Sequence, residues 1–365
     1  MKKIFSLILA FVMIMSLAAC GSSNTTGSSS AQNDAPVQDE SSEPSTVTVS
    51  GWDAESKAVE VEVPYKPEKV VVLDLANLDI LDNLGLGDCI VGAPTITLPY
   101  LQSYNNNLPI VGTVKTPDLE AVMACEPDLI LMGGRMAEYY DDLNEIAPTL
   151  RLTTVSDDGL VEAIRANAKT IGTIFGETEQ VDTLLAQYDA RIAALAAFAE
   201  GKTCVLGMST SGSFNLLGND GRCSLIVNEI GFDNIGAEAA ATGSSHGSDD
   251  SSERGSGGSH GSRGGSTEGS ESAGSTPTHG NEVSFEAVVA LNPEYIFVMD
   301  RDSAIGTSGA QLASEIMENE LIMKTDAYQN GNLIILENPG IWYLAEGGIT
   351  SLGIMLEDLE SALLQ

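Results

Sequence analysis

Three arginines stand where an oxygen anion could be gripped. Arg135 follows the apolar run Leu129 to Met132, and Arg301 follows Tyr295 to Met299. Arg222 follows a third candidate strand, Ser213 to Leu217, through the loop Gly218-Asn-Asp-Gly. The chain carries eight Arg, so three at the ends of such runs is a large share. A guanidinium offers several N–H donors in one plane, which suits carboxylate, phosphate and phenolate oxygens. Singly, each would read as a surface ion pair in an acidic protein. As a set they read as one shared anion site.

Arg135 and Arg301 are also related by an internal repeat. One copy runs DLEAVMACEPDLILMGGR to Arg135, the other SFEAVVALNPEYIFVMDR to Arg301. A Glu (Glu120, Glu286) and a Pro (Pro127, Pro293) recur at the same offsets before each Arg. A weaker match pairs Asn83-Leu-Gly-Leu86 with Glu229-Ile-Gly-Phe232. Each long copy reads as a short helix, a Pro turn, a buried strand and an Arg past the strand end. Repetition of a whole supersecondary unit argues for two lobes of like fold. In open α/β sheets, ligands bind beyond the carboxyl ends of the strands, where these arginines fall.

The elements that must position them follow from periodicity. Thr46 to Val49 and Val59 to Val63 alternate apolar and polar residues and read as a β-hairpin. Short continuous apolar runs mark buried parallel strands at Val70 to Leu73, Ile90-Val91, Ile110-Val111, Leu129 to Met132, Cys204 to Leu206, Tyr295 to Met299 and Leu333 to Leu336. Asn77 to Leu84 reads as a helix stopped by Gly85. Helical stretches alternate with the strands, so the class is α/β with parallel-rich sheets. Residues 158–199 are helical in pattern throughout, broken only near Gly172 and Gly176, and read as a connector. The expected division is an N-terminal α/β lobe at 46–157, a helical interlobe linker at 158–176 and a C-terminal α/β lobe at 177–365.

The N-terminus reads as an address. Lys2 and Lys3 precede the apolar stretch Ile4 to Met15, and Leu17-Ala-Ala-Cys20 follows. This is a secretory signal, expected over residues 1–19 and too short to span a bilayer. The Leu-Ala-Ala-Cys tetrapeptide resembles the lipobox of bacterial lipoproteins, which implies lipidation of Cys20. The polar stretch up to residue 45 then reads as a flexible tether, and the folded part is expected on the outer face of the cell membrane.

Bulk charge narrows the partners. With 17 Lys and Arg against 52 Asp and Glu, the formal net charge is −35, which disfavours nucleic acid. Cys89, Cys125, Cys204 and Cys223 lack Cys-x-x-Cys spacing; export permits a disulfide but does not require one. Residues 242–276 are a Gly/Ser-rich insertion whose His246 and His260 have no fixed metal-ligand spacing, so it reads as a disordered surface insertion. No HExxH motif, Gly-rich phosphate loop or nucleophile–base pair is legible, so an enzyme is not expected.

The stretches GGRMAEYYDDLNEIAPT, THGNEVSFEAVVALNPEYIFVMDRDSAIG and ENPGIWYLAEGGITSL resemble siderophore-binding lipoproteins of iron ABC importers. These belong to the class III periplasmic-binding-protein type, and the resemblance is strongest to catecholate and petrobactin binders. It covers nearly all of residues 47–365 apart from the insertion. It implies two α/β lobes joined by a helical linker, an anionic ferric siderophore in the cleft, no permanent cofactor, a monomer, and delivery to ABC permease subunits. Carried onto this chain, the ligand-binding residues are Arg135, Arg222 and Arg301. His279 and Tyr343 would join them, ligating iron where the siderophore leaves coordination sites open. Glu120 and Glu286 are the implied permease contacts. A ferric triscatecholate carries a charge of about −3, which three guanidiniums would meet. Haem and cobalamin are alternative ligands of the same fold.

Overall fold

The computed structural model describes residues 44–154, 159–242, 281–282 and 285–364. The expected signal peptide, Cys20 and the tether to residue 43 lie outside the described residues, as do His279 and all but the first residue of the 242–276 insertion.

Strands β1 (Thr46–Trp52) and β2 (Ala58–Pro64) form the expected antiparallel hairpin, with Thr46 opposite Pro64 and Trp52 opposite Ala58. Strands β3 (Val70–Val72), β4 (Ile90–Gly92), β5 (Leu129–Met132) and β6 (Thr149–Arg151) follow. They form an all-parallel sheet in the order β4-β3-β5-β6. Every residue of β3 and β5 is buried, which explains their unbroken apolar sequence: both faces of the sheet are covered.

One expected strand is corrected. Ile110-Val111 forms only an isolated parallel bridge from Ile110 to Ala93. Pro109 just before it has no N–H to give a ladder. Gly112 just after it turns into left-handed space at φ 114°, so no run of extended residues can form.

Two helices, Leu160–Phe175 and Thr178–Ala199, pack on each other between the two sheets in sequence. The first buries Leu160, Ala163, Ile164, Asn167, Ala168, Ile171 and Ile174, the three-and-four spacing of an amphipathic face. The second sheet comprises β7 (Thr203–Thr210), β8 (Ser213–Leu216), β9 (Asp233–Asn234), β10 (Asn281–Glu282), β11 (Tyr295–Asp300) and β12 (Leu333–Ile335). Its order is β10-β8-β7-β11-β12, with β9 against β7. The core β7-β11-β12 is parallel, whereas β8 and β10 pair antiparallel.

The internal repeat is reproduced down to the backbone. Helix Leu119–Ala124 leads to β5 and Arg135; helix Phe285–Leu291 leads to β11 and Arg301. Glu126 and Asn292, each just before the repeated Pro, both adopt left-handed backbone at φ 48° and 44°. Non-glycine residues seldom do so, and the coincidence marks one turn used twice.

The segment that carries Tyr343 is pinned from both sides. Trp342 Nε1 donates to Asp358 Oδ2 at 2.8 Å, and Asn338 Nδ2 donates to Asp358 Oδ1 at 2.6 Å. This fixes helix Pro339–Leu344 against helix Ile349–Leu363. Asp79, wholly buried on helix Leu75–Asn83, accepts the backbone N–H groups of Ile349, Thr350 and Ser351 at 2.9–3.1 Å and the Tyr100 hydroxyl at 2.6 Å. Those N–H groups are the unsatisfied donors at a helix start. Gly348 is required here because a Cβ would lie 2.4 Å from Asp79 Oδ2.

Candidate functional site

Three neighbouring parallel strands of the first sheet end at one cavity of about 530 Å³. Asp74 follows β3, Arg135 follows β5, and Arg151 closes β6. Arg222, Tyr343 and Glu346 reach the same cavity from the second half of the chain. Strand-end loops can support such a constellation because the strands themselves are held rigidly in the sheet.

Tyr343 is the hub. Arg222 Nη1 donates to its backbone carbonyl at 2.7 Å, and Arg135 Nη2 donates to the same oxygen. That carbonyl belongs to the last turn of helix Pro339–Leu344, where no later N–H closes it, so the two guanidiniums satisfy an orphan acceptor. Arg301 Nε donates to the Tyr343 hydroxyl at 3.2 Å, and its Nη1 donates to Thr210 Oγ1 at 3.2 Å. All three guanidinium carbons stand near the Tyr343 ring: Arg222 at 4.0 Å from its centroid, Arg135 at 5.6 Å and Arg301 at 5.7 Å. These are cation–π distances, and the ring is 2% exposed, so little water weakens them.

Carboxylates offset this positive charge. Glu346 Oε1 lies 3.6 Å from Arg222 Nη1. Asp74 caps helix Leu75–Asn83, its Oδ1 accepting the N–H groups of Ala76 and Asn77 at 3.0 and 3.1 Å. Burial raises the pKa of both acids above the ordinary carboxylate range, against the pull of Arg135 on Asp74 and of Arg222 and Arg135 on Glu346. Burial likewise lowers the Arg135 pKa, and repulsion from Arg222 adds to it. The cavity wall therefore sets arginines beside carboxylates.

The candidate residues fall into distinct places. Arg135, Arg222 and Tyr343 line the cavity; Arg301 is not on its wall but touches the Tyr343 ring and hydroxyl. Glu120 and Glu286 are exposed in the first turns of helices Leu119–Ala124 and Phe285–Leu291, away from the cavity. His279 lies outside the described residues. Cys89, Cys125, Cys204 and Cys223 are free thiols.

Asp74, Arg151 and Glu346 were missed in the sequence. Arg151 could have been found by the strand-end rule that found Arg135, but Thr149–Arg151 is too short to show a period. Asp74, just past the Val70 to Leu73 run, obeyed the same rule with the opposite charge. Glu346 sits in the ENPGIWYLAEGGITSL stretch with no local signal of its own.

Known proteins match the sequence and the fold of this chain. The periplasmic binding protein family (Peripla_BP_2) matches residues 70–254 and 268–339, well over half of the chain. The petrobactin-binding protein YclQ of Bacillus subtilis is 31% identical over 369 residues, covering 100% of this chain and 99% of YclQ. Its crystal structure superposes with a TM-score of 0.71 at 30% identity, covering 88% of this chain and 99% of that one. The periplasmic catecholate-siderophore binding protein VctP of Vibrio cholerae superposes with a TM-score of 0.69 at 26% identity, covering 86% and 100%. With two α/β sheets, a helical connection and these matches, the chain belongs to the periplasmic binding protein family and has its class III fold.

Proposed function

We propose that this protein is an extracytoplasmic, lipid-anchored receptor that captures an anionic ferric siderophore of the catecholate type and hands it to an ABC permease. The observation that carries the reading is the gathering of Arg135, Arg222 and Arg301 around Tyr343, two of them on the wall of a single cavity of about 530 Å³. Guanidiniums held in place before the ligand arrives lose little freedom on binding it. Phenolate oxygens of an iron complex are acceptors that such donors serve. The names of YclQ and VctP, which specify petrobactin and catecholate siderophores, support the ligand class.

In this reading the protein binds and releases its cargo without catalysis, as a monomer and with no permanent cofactor. Arg135 and Arg222 meet ligand oxygens directly, and Arg301 holds the Tyr343 hydroxyl. Tyr343 and His279 supply iron ligands where the siderophore leaves coordination sites open. Glu120 and Glu286 meet basic residues of the permease. The lobes correspond to residues 46–157 and 177–365, with 158–176 as the linker, and Cys20 bears the lipid.

Fluorescence quenching tests this directly. Trp52 lines the cavity and Trp342 adjoins Tyr343, so ligand entry should quench one or both. Tight binding of a ferric triscatecholate is expected, with large weakening in the R135A/R222A/R301A triple variant. Unchanged affinity in that variant refutes the assignment.

A further inference from the structure

We propose that Arg151 is a fourth anion contact in this cavity, and that its Nε–H donates to a peripheral, iron-free carboxylate on the ferric ligand. The inference rests on the siderophore reading above and specifies the ligand further.

Arg151 is 4% exposed and lies on the cavity wall. Its outer nitrogens are spent on the hairpin: Nη1 donates to the Asp53 carbonyl at 2.5 Å, and both Nη1 and Nη2 reach Ser56 Oγ, at 3.2 and 3.1 Å. Nε is buried and has no hydrogen-bond partner among the described residues. A buried guanidinium that has given up its hydration without replacing it is costly, and buried donors are almost always paired. Holding the hairpin needs only the Nη groups, so a bracing role does not account for the idle Nε.

Its charge, like that of Arg135 and unlike those of Arg222 and Arg301, has no carboxylate in ion-pair contact among the described residues. Arg222 has Glu346 within 4 Å, and Arg301 has Asp302 at 3.4 Å. Arg151 pairs with no carboxylate among the described residues; its partners are a carbonyl and a hydroxyl. The Asp53 carboxylate offsets its charge only from beyond ion-pair distance, and one N–H stays unspent. Iron-bound phenolate oxygens share their charge with Fe³⁺, whereas an uncoordinated carboxylate keeps a full unit. One unspent N–H on a guanidinium with no carboxylate in ion-pair contact suits a single oxygen of such a carboxylate.

The test compares two ligands on two proteins. The probes are a ferric triscatecholate with one pendant carboxylate and the same complex as its methyl ester. The wild type should bind the acid about tenfold or more tightly than the ester, the effect of one charge-assisted hydrogen bond in a buried site. In Arg151→Gln that preference should vanish, with the acid losing more affinity than the ester. Equal wild-type binding of acid and ester overturns the proposal, whether or not the variant folds. A preference that survives in Arg151→Gln also overturns it, as does an equal loss for both ligands. Should the variant unfold, side-chain ¹⁵N spectra of the wild type with the diamagnetic Ga³⁺ complexes take its place. An Arg Nε–H signal that shifts with the acid and not the ester is expected, and absence of any such signal refutes the contact. If neither complex binds the wild type, the siderophore reading itself fails, and this inference falls with it.

Discussion

Replacing Glu346 by Gln should tighten ligand binding, although the change removes an ion-pair partner from a cleft arginine. Glu346 Oε1 lies 3.6 Å from Arg222 Nη1, and both side chains are mostly buried. At an effective dielectric near 20, a unit pair at that distance attracts by about 4–5 kcal/mol. Burial of the acid opposes this strongly enough to raise its pKa. An anionic oxygen accepting a hydrogen bond from Arg222 would sit one hydrogen bond beyond the guanidinium, roughly 6–7 Å from the carboxylate. There the like-charge repulsion is about 2.5 kcal/mol by the same relation. Allowing for relaxation and for water, about 1–2 kcal/mol should appear as affinity, a gain of roughly 5- to 30-fold. The sign with pH follows from the raised pKa. Protonated Glu346 does not repel an anion, so wild-type affinity should fall as pH rises through the raised value, and E346Q should lack that share of the fall. Stability moves the same way: the folded protein holds a proton that the unfolded chain has released, so stability present at low pH is lost as pH rises through the folded pKa. Tryptophan quenching titrations of wild type and E346Q at matched pH give a ratio in which protonation of the ligand cancels. Equal or weaker binding by E346Q at every pH, including above the range where wild-type affinity falls, would refute the reasoning, leaving Glu346 as a group that positions Arg222.

Two further outcomes are expected. Asp79→Asn should cost about 3 kcal/mol or more in urea unfolding with little change in slope, because one carboxylate accepts three helix-start N–H groups and the Tyr100 hydroxyl, and an amide nitrogen would face a donor; a loss under about 1 kcal/mol contradicts the latch. The Glu120→Ala, Glu286→Ala double variant should impair import while ligand affinity holds, since both residues are exposed and neither lines the cavity; weakened binding with intact import would remove them as docking residues.

How far the sequence led depended on whether a feature was local. The repeat placed Arg135 and Arg301 past buried strands because Leu129–Met132 and Tyr295–Asp300 are continuous apolar runs, and both arginines lie there. The hairpin was legible from alternation alone. Thr149–Arg151 escaped because three residues carry no period, and with it went Arg151. Ile110-Val111 looked like a strand because an apolar pair says nothing of its neighbours' dihedrals, and Gly112 ends the extension at once. Asp74 and Glu346 could not be weighed from sequence, since their raised pKa values come from burial beside arginines distant in the chain.

Those two acids change how the arginine cluster works. Three bare guanidiniums crowded around one aromatic ring would repel one another, and burial already lowers the Arg135 pKa with Arg222 adding to it. The cluster holds together because the Tyr343 carbonyl, its ring, Asp74 and Glu346 supply negative potential from fixed positions. Asp79 and Asp358 fix that carbonyl indirectly, by clamping the segment on either side of it. An entering anion would thus exchange with contacts of similar kind, and its net gain would be the difference between the two sets. Such an arrangement favours a multiply charged ligand over a single carboxylate or phosphate, because only several charges together can outbid the built-in acceptors. It also keeps release feasible, since Tyr343 and Glu346 stand ready to take the guanidiniums back as the anion leaves.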